Sequence, residues 1–228
     1  MPLKLYYWSF KARSEQIKTL LHYLKVDFEE INPTKEEWPA LQNTFIDGGF
    51  NFPNLPMIED GDYKLSESMA IMSYIAEAYG DGSLAGKNPQ DQAIVRQLEG
   101  VLRDLVNIFL KCVFTPEFKS KLQEAAGDEK LLKVVRRLEN QFSDGRHFAL
   151  GYFTIADLFI ANTYRLVNHF MKSAGVDNPM EKKILYEHAI RVANLPGIKE
   201  YFESNEYKNT PYFRMPWFKE HPLTAPAN

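Results

Sequence analysis

Cysteine is almost missing from this chain: Cys112 is the single one among 228 residues. No intrachain disulfide can form, which points to a reducing compartment and a cytoplasmic location. Cys112 lies in the apolar run Ile108 to Phe114 and reads as a buried helical residue rather than a nucleophile. No stretch reaches the roughly 20 apolar residues needed to span a bilayer, and Met1 to Tyr6 lacks the apolar run of a signal peptide. Neither sign of charge is in excess. The 27 basic and 30 acidic residues leave a net charge of −3, so there is no electrostatic case for nucleic acid or an anionic membrane. The five histidines (His22, His147, His169, His188 and His221) show no metal-ligand spacing. There is no Walker loop, no G-x-G-x-x-G and no G-x-S-x-G. Neither a metal nor another resident cofactor is expected. Aromatic side chains are plentiful instead, 16 Phe, 12 Tyr and 3 Trp, which suits large packed interfaces, an apolar pocket or a well-filled core.

The first 80 residues mix two periodicities. Leu3 to Trp8 is β-prone, with Leu3, Leu5 and Tyr7 on one face and Lys4, Tyr6 and Trp8 on the other. In Ser14 to Lys25, the apolar residues Ile17, Leu20, Leu21 and Leu24 mark an amphipathic helix. Val26 to Ile31 alternates like a second strand. Asn32 to Asn51, rich in Pro, Gly and polar residues, reads as an irregular excursion. Leu55 to Glu59 and Tyr63 to Leu65 flank Asp60-Gly61-Asp62, a hairpin signal. Met69 to Tyr79 carries Ile71, Met72, Ile75 and Ala76 on one helical face. The pattern then changes. A linker over 81–89 leads into residues 90–228, where the signals are helical and interrupted by Gly and Pro, ending in an irregular aromatic and Pro-rich tail. The fold class is α/β over 1–80 followed by an all-α domain.

Three local features could carry chemistry. Pro56 opens a strand, where its missing N–H must face away from a ladder. A trans proline at a strand edge satisfies that. A cis bond would instead turn Leu55 outward, so that its N–H and C=O could pair with an extended peptide like an added strand. Ser68 precedes an apolar helix and suits an N-cap. The same helix start could bind a carboxylate, with Glu67 accepting from an ammonium. Tyr7 ends the first strand before the loop to the first helix, where a phenol could donate to a thiolate and lower a thiol pKa that starts near about 8.5. Spacing alone leaves Tyr6 as its rival. Thr154 and Asp157 fit a capping box, a folding signal without chemistry.

Taken jointly, Tyr7, Trp38, Asn54-Leu55-Pro56, Ser66-Glu67-Ser68-Met69-Ala70-Ile71, Thr154-Ile155-Ala156-Asp157-Leu158 and Leu195-Pro196-Gly197-Ile198 resemble the cytosolic glutathione transferases of the tyrosine type. The sequence is similar to both the mu and sigma classes. The resemblance implies a thioredoxin-like N-terminal domain, a helical-bundle C-terminal domain and a homodimer. It implies that Tyr7 bonds the glutathione sulfur and that Leu55 pairs with the cysteinyl backbone beside a cis Pro56. Asn54, Glu67 and Ser68 would hold the peptide, Glu67 and Ser68 at its γ-glutamyl end. Trp38 would contact the glycine carboxylate together with Gln42, which stands where a Lys is usual. Asp104 of the partner subunit would touch the ligand, with Arg103 as the competing alignment, and Phe52 would be the key entering the partner. Lys11 stands where Arg is common.

The implied reaction is attack of the glutathione thiolate on an apolar electrophile. Glutathione acts as co-substrate, and Phe10, Phe109 and Trp217 are expected in the second-substrate pocket. Alternatives on the same resemblance are a glutathione-dependent isomerase like the prostaglandin synthases, or a non-catalytic binding or structural protein.

Overall fold

The computed structural model of the chain describes residues 2–214; Trp217 and the rest of the tail lie outside them. Strand β1 (Leu3–Tyr6) is followed by a short 3-10 turn at Ala12–Ser14 and helix α1 (Glu15–Leu24). Next come β2 (Phe28–Ile31), α2 (Trp38–Asp47), β3 (Met57–Asp60), β4 (Tyr63–Ser66) and α3 (Ser68–Ala78). The sheet order is β2-β1-β3-β4. β1 pairs parallel with β2 and antiparallel with β3, and the β3–β4 hairpin closes at Asp60 opposite Tyr63. The α1 stripe Ile17, Leu20 and Leu21 and the α3 stripe Ile71, Met72 and Ile75 are fully buried against Leu3, Leu5 and Ile58 of the sheet.

The excursion over 32–51 proves to contain helix α2, against the irregular reading. The turn leading into it, from Thr34 to the cap residue Glu37, carries a reciprocal pair. The Thr34 N–H donates to Glu37 at 2.8 Å and the Glu37 N–H donates to the Thr34 hydroxyl at 3.2 Å, the capping-box arrangement. Behind it, Trp38, Leu41 and Phe45 share a face and pack with Tyr6, Tyr7, Leu55 and Met57 in a second, smaller core. Aromatic and apolar residues at helical spacing were present in the sequence. The Pro and Gly residues around them masked the period.

From Pro89 onward the described elements are all helical: α4 (Pro89–Val113), α5 (Phe118–Ala126), α6 (Glu129–Asn140), α7 (Ile155–Ala174), α8 (Lys183–Ala193), α9 (Ile198–Glu203) and α10 (Asn205–Asn209). α4 begins with Pro89 and is capped by Asn88, whose side chain accepts the Asp91 N–H at 2.9 Å. The two layers are bonded to one another. The Ile155 N–H donates to the Leu84 carbonyl at 2.9 Å. Lys18 on α1 reaches Glu30 at 2.7 Å and Glu206 at 2.8 Å. His22 stacks on Tyr201 with centroids 4.1 Å apart. Gly197 explains part of the Leu195-to-Ile198 motif: at φ +82°, a Cβ there would stand 2.3 Å from the His22 carbonyl oxygen, so only glycine lets α9 approach α1 this closely. Cys112 is buried, as read from sequence, and burial pushes its thiol pKa up. Among the described residues, no helix is long and apolar enough to cross a membrane.

Candidate functional site

β1 ends at Tyr6, and Tyr7 is the first residue beyond it. The alternation of faces therefore stops one residue short of Tyr7. Tyr6 and Tyr7 enter the same small core, yet their hydroxyls face different chemistry. The Tyr6 hydroxyl donates to Glu59 Oε2 at 2.5 Å. Burial and that carboxylate push its pKa up. The Tyr7 hydroxyl instead accepts the Arg13 backbone N–H at 3.2 Å, which leaves its own proton to donate elsewhere. Burial raises the Tyr7 pKa, and the Arg13 N–H and charge oppose the rise. The phenol is a neutral donor at physiological pH.

Tyr7 is held on two further sides. Its N–H donates to the Ile31 carbonyl at 3.1 Å, and Asn32 Nδ2 donates to its carbonyl at 3.0 Å. Its ring meets Phe10 edge-on at 5.6 Å.

The Asn54–Ser68 segment lies across β3 and β4. The Leu55–Pro56 bond is cis. The Leu55 N–H is taken by Asn54 Oδ1 at 3.0 Å, so pairing with an incoming peptide would require that side chain to release it. The Gln42 amide donates to the Pro53 carbonyl at 2.8 Å, and the Ser66 hydroxyl donates to the Phe52 carbonyl at 2.6 Å. These two bonds fix the backbone that displays the Phe52 ring, which is 79% exposed. Trp38 meets Trp8 edge-on at 6.4 Å at the start of α2.

Ser68 is not an N-cap. It is the first residue of α3, the cap position is Glu67, and no side chain closes the turn. Glu67 takes φ +72°, a left-handed value that costs a non-glycine residue about 1–3 kcal/mol. Ala12, beside Arg13, sits at φ +31°. Both flank one cavity of about 360 Å³ between α1, the α3 start, α4, α7 and Tyr212-Phe213. Its walls are apolar through Leu102, Val106, Leu110, Phe159 and Leu166, with Arg13, Arg103, Glu15 and Asn162 among the polar residues. Glu15 is almost fully buried. Its Oε2 accepts from the Tyr201 hydroxyl at 3.2 Å, while its Oε1 has no partner among the described residues.

Two residues expected in the second-substrate pocket, Phe109 and Phe10, fall outside this cavity. Phe109 is fully enclosed in the core and does not line the cavity; its α4 neighbours Val106 and Leu110 do. Asp104, expected to act at the partner subunit's site, is exposed on α4, and Arg103 lines the cavity of its own subunit. Phe10 lies between Tyr7 and Phe213, with its centroid 5.8 Å from the latter. Sequence reasoning had assigned no site role to Arg13, Glu15 or Asn162. Positive φ at Ala12 and Glu67 is the structural sign of the region, and sequence alone does not show it.

The comparisons agree with this architecture. Residues 1–77 match the glutathione S-transferase N-terminal domain family, and residues 103–205 match the glutathione S-transferase C-terminal domain family. The chain is 29% identical over 213 residues to a class-mu 26 kDa glutathione S-transferase, isozyme 51, of Fasciola hepatica, covering 92% of this chain and 93% of that one. It is 28% identical over 219 residues to glutathione S-transferase Mu 7 of Rattus norvegicus, covering 93% and 96%. Among solved structures, glutathione S-transferase Blo t 8 superposes with a TM-score of 0.78 at 28% identity, over 94% of this chain and 98% of that one. The two domain matches span most of the chain, and they follow one another in the order the fold requires. The chain belongs to the glutathione S-transferase family.

Proposed function

We propose that this chain conjugates glutathione to apolar electrophiles, with Tyr7 as the donor to the glutathione sulfur. The observation that carries the reading is the division of labour between adjacent phenols. Tyr6 spends its proton on Glu59, while Tyr7 accepts from Arg13 and keeps its proton for a ligand. A neutral donor aimed at sulfur stabilises thiolate over thiol. The open start of α3 and the Glu67 carboxylate suit the charged γ-glutamyl end. The thiolate lone pair forms the new S–C bond, and the electrophile loses its leaving group or, in an addition, takes up a proton at the adjacent carbon. The apolar cavity positions that carbon and keeps water off the sulfur.

The chain would act as a homodimer. Phe52 is displayed on a fixed backbone, and Ile94, Val101 and Ile108 recur every seven residues as an exposed stripe on α4. The lone, buried Cys112 suits a cytosolic setting.

The test is turnover of 1-chloro-2,4-dinitrobenzene with glutathione, releasing chloride. A hydrogen bond to a charged group contributes about 1.5–3 kcal/mol, so Tyr7→Phe should lower kcat/KM by about 10- to 100-fold. Tyr6→Phe should change it little. Full activity in Tyr7→Phe would assign the sulfur contact to another group. Retention on glutathione resin without turnover of any electrophile would instead favour a binding protein.

A further inference from the structure

The loop between Tyr7 and Arg13 contains a lysine with no access to solvent. Lys11 is 0% exposed. It sits beneath residues 204–214; its carbonyl accepts from Ser14 and Glu15 in its own loop, while its ammonium and its N–H reach across to that stretch. Its ammonium donates to the Tyr207 carbonyl at 2.6 Å and to the Thr210 carbonyl. It lies over the Tyr207 ring at 4.3 Å and the Tyr212 ring at 5.2 Å. Its backbone N–H donates to the Pro211 carbonyl at 2.8 Å. The stretch is pinned from the other side by Arg165 of α7, which donates to the Tyr207 hydroxyl at 2.5 Å. The buried carboxylate of Glu15 lies close enough to interact with both cations.

Two facts give this tether a role beyond holding residues 204–214 down. Tyr212 and Phe213, the next residues of the same stretch, form part of the cavity wall. Phe10, the residue before Lys11, touches Tyr7 on one side and Phe213 on the other. One short loop therefore carries the phenol that would face the sulfur and the cation that sets where the cavity wall stands. A buried ammonium is costly unless its donors are satisfied. Here two carbonyls of the strap accept from the ammonium, so moving the strap would withdraw both at once.

We propose that Lys11 is a positioning residue for the electrophile pocket, latching the strap 204–214 so that Tyr212 and Phe213 close the cavity over the sulfur site. The inference rests on the glutathione reading above. It implies a separation of effects. Loss of the latch loosens the apolar half of the site and leaves the peptide half, built on β3, β4 and α3, untouched.

The experiment compares calorimetric affinities for S-hexylglutathione, whose chain enters the pocket, and S-methylglutathione, whose methyl does not reach the strap. In Lys11→Met the S-hexyl affinity should fall by about tenfold, equivalent to roughly 1.4 kcal/mol, with the S-methyl affinity within about twofold. Lys11→Arg should restore the S-hexyl affinity, since a guanidinium also reaches two carbonyls. Phe213→Ala, which keeps the latch but removes the wall, should reproduce the selective loss, and the double variant should be no worse than the poorer single one. The idea fails if both ligands weaken together in Lys11→Met, or if neither does. It fails equally if Phe213→Ala leaves S-hexylglutathione unaffected, a result that decides the matter even where Lys11→Met does not fold. Wild-type protein that binds neither ligand would overturn the glutathione reading and the latch together. Selective wild-type binding without the variant pattern overturns the latch alone.

Discussion

Helices α3 and α7 both begin at a hydroxyl residue followed by an apolar run, Ser68 before Met69 and Thr154 before Ile155, and only α7 closes its own first turn. At α7 the Asp157 carboxylate is fully buried and fully used. It accepts the Thr154 N–H at 2.9 Å and the Ala149 N–H at 2.8 Å. It also accepts the Thr154 hydroxyl at 3.2 Å and meets His188 Nε2 at 2.9 Å. At α3 no side chain caps the helix, the cap residue Glu67 is exposed, and its φ of +72° is strained. The first arrangement is what a fold does with a helix end that must be buried. The second leaves N–H donors and a positive dipole end facing a cleft, at a cost in local stability. One helix start is sealed for folding and the other is left open for a ligand.

The sharpest way to break that contrast is Asp157→Ala. It strands two buried N–H groups and a hydroxyl and removes the partner of a buried histidine, each loss costing about 1–3 kcal/mol when unsatisfied. The expected result is a stability loss of about 3–5 kcal/mol in urea unfolding. The variant that remains folded should keep the wild-type KM for glutathione. A raised glutathione KM at unchanged stability would mean that α7 also serves the ligand.

Ser68→Ala should behave in the opposite way. Its hydroxyl closes no helix turn, so the unfolding midpoint should move by less than about 0.5 kcal/mol, below the ~1 kcal/mol of a lost cap. If the hydroxyl holds the γ-glutamyl end, the glutathione KM should rise by about tenfold, equivalent to ~1.4 kcal/mol. A stability loss of cap size with unchanged KM would return Ser68 to the local reading of its sequence.

That local reading shows what a sequence can and cannot display. The α1 and α3 stripes, the hairpin at Asp60 to Tyr63 and the Thr154–Asp157 signal were legible because each is a short-range pattern with a single physical cause. Helix α2 was hidden although Thr34 and Glu37 carry a capping box, because proline and glycine nearby weighed more heavily than Trp38, Leu41 and Phe45. The Tyr6–Tyr7 ambiguity could not be resolved by face alternation, since the strand ends between them. Tertiary placement alone separates them: the Tyr6 hydroxyl reaches Glu59 on β3, which pairs with Lys4, and Arg13 arrives at Tyr7 from the loop. The cavity wall was equally opaque. Phe109 and Leu110 are neighbours on an apolar helix, and only the packing of α4 on α7 decides which of them faces the pocket. Lys11 gave no sign of burial, because its partners are backbone carbonyls almost 200 residues away.

A third helix start, that of α1, lies between the two extremes. Glu15 is its first residue, with one carboxylate oxygen on the Tyr201 hydroxyl and the other without a partner among the described residues. Burial pushes its pKa above the ordinary carboxylate value, a rise opposed by Lys11, Lys18 and Arg165. The folded state therefore holds this proton more tightly than the unfolded chain. Its contribution to stability is fully present below the unfolded value of about 4.3 and is lost as pH rises through the higher folded value. The slope from one such group cannot exceed about 1.4 kcal/mol per pH unit. Glu15→Gln removes the titration, so urea midpoints measured from pH 4 upward should lose this downward component. Identical slopes in variant and wild type would show that the three cations hold Glu15 ionised in both states. The α1 start would then belong with the sealed end of α7 rather than with the open end of α3.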